Sequence, residues 1–422
     1  MPLTVRSLPV AQNWDCRGCA SCCRSYSIPV TADERKRIEG QSWDSDPDLK
    51  AAPLFLPDGR GTKLNHRPDG ACVFLGADDR CRIHAKFGAA AKPLACRVYP
   101  FMLVPAGDHW RVGLRYACPS ATADAGRPLA EHLPEVREYA ALLEADQPAA
   151  RDQPPPPLRP GTVVPWDDVL RVTGAVAKLL GESAVPLERR WRKVLTLAAL
   201  ADGMKFDGGG KAQKAVTGDR LSELFRVLSE AVEEEAPPAD SVARPGWAAR
   251  LAFRQIVAVY ARKDHGAERG TAQRSPLGRV AAAVRFARGS GRVPKLHAAL
   301  PDVPFSAGEE PFGTLPAESD ALLTRYYRLK VQSLQFCGPT NFGLPYWDGL
   351  RTLALTFPVA LWLARVFAAG GTPKPAAVEQ AVRVTDDNYG FNRLLGMGRQ
   401  KFALRLLAAR DDLPRLVAWY GR

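Results

Sequence analysis

Residues 16–23 read Cys16-Arg17-Gly18-Cys19-Ala20-Ser21-Cys22-Cys23, four thiols in the pattern C-x-x-C-x-x-C-C. Free thiols oxidise, so this density calls for disulfides, a metal or redox chemistry. The opening stretch, residues 1–11, has no basic region followed by an apolar core of signal-peptide length. Without an export signal a reducing, cytoplasmic compartment is expected, and disulfides rarely persist there. The nine cysteines therefore point to metal ligation. Eight precede residue 119 and the ninth, Cys337, stands alone, so the cysteines delimit a domain.

Working outward, Thr31-Ala32-Asp33-Glu34 has capping-box spacing and predicts a short helix ending at Gly40. Residues 41–69 are polar, rich in Pro and Gly and without period, which reads as loop. Ala71 to Leu75 and Cys81 to His84, separated by a turn, read as a hairpin with a cysteine on each arm. Pro93 opens a short helix carrying Cys96. A second hairpin is expected from Phe101 through the alternating Trp110, Val112 and Leu114, with Cys118 beyond its end.

Residues 128–145 read as helix, and the run Pro154-Pro155-Pro156-Pro157 favours an extended, semi-rigid connector. Helical period then dominates. Leu187, Trp191, Val194, Leu195 and Ala198 share one face, and similar segments run over 167–181, 218–234, 246–263, 276–288, 316–335, 347–369, 375–384 and 398–420. The expectation is α+β: a small irregular cysteine-rich metal-binding domain with short hairpins (1–145), a Pro-rich linker (146–165) and an all-α domain (166–422). The most apolar window, 353–367, carries Pro358 and Arg365 and is shorter than the ~20 residues a spanning helix needs, so it reads as a buried helix and no membrane span is expected.

The formal charge of +13 raises nucleic acid or an acidic partner. Arginine is spread along amphipathic helices, however, with no dense basic tract and no aromatic–basic interleaving, which argues against nucleic acid.

Zinc and iron–sulfur sites commonly use four thiolates, and C-x-x-C lets two sulfurs converge on one metal. Cys16, Cys19 and Cys22 follow that spacing, while Cys23 is expected to point elsewhere because adjacent side chains diverge. Cys72, Cys81, Cys96 and Cys118 supply four more thiols. Eight thiols can form two four-cysteine sites, one cluster with spare thiols, or a binuclear zinc site. Thiols that bind nothing and serve only the core are the bland alternative.

The C-x-x-C-x-x-C-C run, Gly70 to Leu75, Cys81-Arg82-Ile83 and Pro93 to Phe101 together resemble the YkgJ-like cysteine-cluster family, a zinc- or iron-chelating domain, over roughly residues 14–120. The same domain occurs in flagellin lysine N-methylases, which carry a helical C-terminal part, and this chain is similar in length and layout. The resemblance implies metal ligation by Cys16, Cys19, Cys22, Cys23, Cys72, Cys81 and Cys96. Cys118 lies outside the matched blocks and joins them on proximity alone. His84 stands where a tyrosine is expected; it gives C-x-x-H spacing, read either as a zinc ligand or as a partly exposed histidine beside the site. Arg97 can donate to a thiolate, hold an acidic ligand or simply pack.

A lysine N-methylase would need S-adenosylmethionine and a protein substrate. No G-x-G loop follows a strand, which argues against a Rossmann-type methyltransferase. Gly208-Gly209-Gly210-Lys211 lacks phosphate-loop spacing and reads as a flexible turn, and a C-x-x-x-C-x-x-C radical motif is missing because position 26 is Tyr26. No catalytic residue is identifiable. Asp386-Asp387-Asn388-Tyr389 reads as a helix cap or turn, residues 341–346 as a connecting loop, and Cys337 as a buried free thiol. Three readings stand: a metal or cluster protein with a helical effector domain, a protein-lysine N-methyltransferase, and a structural zinc protein or scaffold.

Overall fold

The capping box at Thr31 sets the first well-defined helix. The Thr31 hydroxyl accepts from the Glu34 amide and the Glu34 carboxylate accepts from the Thr31 amide. The computed structural model describes residues 3–6, 8, 10–50, 52–204, 216–235 and 237–422, so Gly208 to Lys211 lie outside the described residues.

In chain order the first part comprises β1 (Thr4–Arg6), β2 (Asn13–Trp14), α1 (Ser21–Ser25), β3 (Pro29–Val30), α2 (Ala32–Glu39), β4 (Phe55–Asp58), β5 (Gly61–Leu64), α3 (Arg82–Phe87), α4 (Leu94–Val98), β6 (Phe101–Ala106), β7 (His109–Leu114), α5 (Pro119–Thr122), β8 (Arg127–Pro128) and α6 (Leu133–Asp146). The second hairpin forms as expected, with Phe101 opposite Leu114 and Ala106 opposite His109. Gly107 closes it at φ +72°, a left-handed conformation that costs glycine little. β1 adds to β7 in parallel, giving the order β1-β7-β6.

Two local expectations need correction. Residues 41–69 are not all loop, because β4 and β5 pair across Gly59 and Arg60 and β3 joins β5. Pro57 in β4 and the weak apolar alternation hid this hairpin, although Asp58-Gly59 is a turn signal. The 71–84 region is less regular than a hairpin: Leu75 bridges Cys81, Cys72 bridges His66, and the second arm becomes helix α3.

The remaining elements are helical: α7 (Trp166–Leu180), α8 (Leu187–Asp202), α9 (Asp219–Glu235), α10 (Trp247–Tyr260), α11 (Pro276–Arg288), α12 (Ala317–Gln332), α13 (Tyr346–Ala369), α14 (Lys374–Asn388), α15 (Gly398–Ala409) and α16 (Asp412–Tyr420). This is the expected α+β fold with small sheets first and helices after. The face of α8 read from period is buried throughout, from Leu187 to Ala198. The single segment expected over 398–420 breaks instead at Asp411, whose φ is +54°. Pro414 then sits in the first turn of α16, where a missing N–H costs nothing.

One hydrophobic core runs from Val5, Val112 and Leu114 of the sheet through the helices to Tyr420. A smaller cluster holds Val30, Ile38, Trp43, Leu64, Cys72, Phe74 and Ile83. The proline-rich segment packs as well as connects. Leu158 is fully buried, and the carbonyls of Pro157 and Leu158 accept from the Tyr346 and Trp347 amides at 2.8 and 3.1 Å, satisfying two open donors at the start of α13. Among the described residues α13 is the one helix long and apolar enough to cross a bilayer, and 83% of its apolar window is buried inside the fold.

Candidate metal centre

The cysteine stretch turns sharply before it becomes helix. Gly18 and Ala20 both have positive φ, and Ala20 is the N-cap residue of α1, packed against Ala71 and Leu75. That turn leaves Cys16 and Cys19 exposed and puts Cys22 and Cys23, half-buried, on α1. Their sulfurs lie 4.0 Å apart, so the expectation that Cys23 points elsewhere is corrected. Four thiolates at ~2.3 Å around a tetrahedral zinc would have sulfurs about 3.8 Å apart, close to this pair.

Cys16, Cys19, Cys22, Cys23, Cys81, Cys96 and Cys118 all line one cavity of about 680 Å³. Cys81 precedes α3, Cys96 lies on α4 and Cys118 precedes α5, so short elements deliver each thiol. Cys72 lies behind this wall. It is buried, and its amide donates to the Cys23 carbonyl at 2.8 Å. Cys337 is buried elsewhere in the main core, as a free thiol. Thiol donors of this kind suit zinc and iron–sulfur clusters. Among the described residues, no three His, Cys, Asp or Glu side chains form a ready-made metal site, so binding requires the thiols to close further.

His84 follows Cys81 on α3, is exposed, and lines the same cavity. Arg97 forms an ion pair with Glu138 and stacks over Tyr139, 5.4 Å from the ring centre; Arg97 and Tyr139 both reach the cavity wall.

Lys92 is the lining residue that sequence reading missed, since nothing in Ala91-Lys92-Pro93 marks it. Burial works against its ammonium, but Cys96, Cys81, Cys22 and Cys23, when ionised to thiolates, outweigh burial and raise it above the ordinary lysine value. A tetrathiolate centre carries net negative charge, and Lys92 is placed to offset it. Lys92→Met is expected to lower metal affinity by about 10- to 100-fold, the usual effect of losing an outer partner of a metal site. Competition with a chelator measures it, and unchanged affinity would show that the charge plays no part.

Three of these cysteines, Cys22, Cys72 and Cys96, are held as thiols in the metal-free chain. Burial pushes Cys72 up to about 11 and Cys96 higher still, while Cys22 is raised first by its contact with Cys23 and then by burial. Metal must displace these protons, so affinity rises with pH, by up to about tenfold per pH unit for each proton released. Proton release on metal addition, followed in weak buffer, checks the sign and the number.

Behind the cavity, α1 docks on the helical region. Ala267 N–H donates to the Arg24 carbonyl at 3.0 Å, and the Ser25 hydroxyl donates to Glu268 at 2.9 Å. The approach is tight enough to need glycines. A Cβ at Gly70 would lie 2.4 Å from Ala267 N, and one at Gly266 would lie 2.6 Å from the Arg24 carbonyl oxygen.

Next to this contact, Asp386 and Asp387 correct the cap-or-turn expectation. Lys330 Nζ lies 2.6 Å from Asp386, which also accepts from the Tyr326 hydroxyl and the Ala117 amide. Asp387 pairs with Lys263 at 2.6 Å and Arg115 at 3.5 Å; burial would raise this carboxylate, but the two cations outweigh burial and hold it low. Arg115 in turn lies 5.0 Å from the Tyr26 ring centre, and Tyr26 packs on Tyr99 of the cavity wall. Asn341 is likewise more than a linker residue, donating to Phe336 O and Thr352 Oγ1.

A cavity lined by cysteines from separate stretches of chain defines a thiol-rich centre. Residues 15–119 match the family model CxxCxxCC, described as "Putative zinc- or iron-chelating domain", which supports metal binding by this region. No curated protein and no solved structure matches the chain.

Proposed function

We propose that this chain is a cysteine-cluster metal protein holding zinc or an iron–sulfur cluster, with the helical region as the element that responds to the centre. The ligands are drawn from Cys16, Cys19, Cys22, Cys23, Cys72, Cys81, Cys96 and Cys118. The carrying observation is that seven of these, from positions 16 to 118, line a single cavity, while behind it the Cys72 backbone amide donates to the Cys23 carbonyl. A bound metal would supply either a fixed structural cross-link or, as a cluster, one-electron chemistry. The test is anaerobic purification with elemental analysis and a visible spectrum. Iron with sulfide and broad absorbance near ~400 nm marks a cluster, colourless protein with zinc marks a zinc centre, and metal-free protein after reconstitution sinks the reading.

The docking of α1 supports a responsive role for the helices. Gly266→Ala is expected to cost about 1–3 kcal/mol through backbone strain and collision with Arg24. Hydrogen exchange should show α1 and residues 264–270 loosening together. Loosening of residues 264–270 alone would leave the two regions uncoupled.

A second reading is favoured by the size of the cavity. About 680 Å³ exceeds what one metal ion needs and falls in the range of small-ligand pockets. On this reading the centre belongs to a protein-lysine N-methyltransferase using S-adenosylmethionine. Among the described residues there is no doubly wound parallel sheet of the Rossmann type, so the cofactor would sit differently. Transfer of label from S-adenosylmethionine to a protein lysine tests it, and absence of both transfer and binding rejects it.

A further inference from the structure

Helix α11 faces solvent with its apolar side. Ala282 and Phe286 are buried against the body, and Gln255 of α10 donates to the Ala283 carbonyl at 3.2 Å. Leu277, Val280 and Val284 are 82%, 62% and 41% exposed. They recur at i, i+3 and i+7, and Leu277 lies about 180° around the helix from Phe286. A surface helix docked on a core normally shows polar residues there.

The charge around this stripe has one sign. From Arg269 to Pro301 there is no Asp or Glu. Arg274, Arg279, Arg285 and Arg288 are exposed, and among the described residues none has a carboxylate partner. By contrast, Arg254 pairs with Glu309, Arg262 with Asp264 and Arg292 with Asp302. Arg285 and Arg288 flank the exposed leucine and valines around the helix, and Arg274 and Arg279 stand at its N-terminal end.

We propose that α11 is a peripheral docking element for an anionic phospholipid surface. A basic helix with an outward apolar stripe is the pattern of interfacial binding, in which apolar side chains enter the headgroup boundary and guanidinium groups pair with lipid phosphates. The stripe is a ridge that takes no part in the cysteine-lined cavity, and a fluid bilayer accommodates a ridge without a matching hole. The contact is independent of the metal centre, and α13 stays within the core.

The test is flotation of the full-length protein with phosphatidylcholine vesicles, with and without phosphatidylglycerol. Binding is expected only to the anionic vesicles. Substituting Arg279, Arg285 and Arg288 by glutamine should weaken it by about fivefold per arginine removed. Leu277→Ser with Val280→Ser should also weaken it, which a purely electrostatic contact would not show. Because these side chains are exposed, metal content and thermal midpoint should match the parent protein. Equal binding to neutral vesicles, no binding to either, or full binding by the serine variant overturns the proposal. So does a concentration-dependent dimer, or capture of an acidic protein, that the serine variant abolishes while vesicle binding is absent.

Discussion

Replacing Cys22 with serine is expected to empty the metal centre and loosen the region around residues 16–100, while the rest of the chain stays folded. A serine hydroxyl is a poor ligand for the soft metals that thiolates hold, and Cys22 lies 4.0 Å from Cys23 at the centre of the group. Structural zinc sites contribute on the order of 10 kcal/mol to folding. The small cluster around Ile38, Trp43 and Phe74 has few residues to replace that contribution. β1, β6 and β7 belong to the main core instead, so their amides should keep their protection. Metal analysis and hydrogen exchange on the same preparation check both halves. Full metal content in Cys22→Ser would remove it from the ligand set, and Cys337→Ser serves as the control that should lose nothing.

The second large effect is expected at Lys330. Lys330 and Asp386 are almost fully buried, with side chains 2% and 0% exposed at a separation of 2.6 Å. Lys330→Met would strand the carboxylate, which burial in a low-dielectric site penalises, at a cost of about 3–5 kcal/mol. Adding Asp386→Leu should recover much of that loss, because replacing both partners removes the uncompensated charge. Denaturant titrations of the single and double variants measure this, and an equal deficit in both would mean that no stranded charge is involved.

Much of this architecture was legible because periodic burial and turn chemistry are local. The α8 face, the capping box at Thr31 and the hairpin closed at Gly107 each follow from a few adjacent residues. The β4–β5 pairing was hidden because Pro57 and polar neighbours suppress the alternation that marks a strand. The cysteines announced a centre, but spacing alone misjudged Cys23, whose direction depends on how Ala20 turns into α1. Lys92 and the Lys330–Asp386 pair were beyond reach for a different reason. A lysine in a loop and an Asp-Asp near a helix end look solvated until distant elements cover them, and burial is a property of the whole fold.

The contacts behind α1 also bear on how the protein is made. Residues 16–118 leave the ribosome carrying all eight clustered thiols, yet the loop at Ala267 and Glu268 that holds Arg24 and Ser25 is synthesised far later. Asp387, which secures Arg115 beside Tyr26, comes later still. A nascent chain therefore presents its thiols with α1 unbacked, exposed to oxidants and to the wrong metal. If the centre binds metal as proposed, correct loading is expected only of the finished polypeptide, and a chain terminated before residue 262 should scavenge metal without holding it in place.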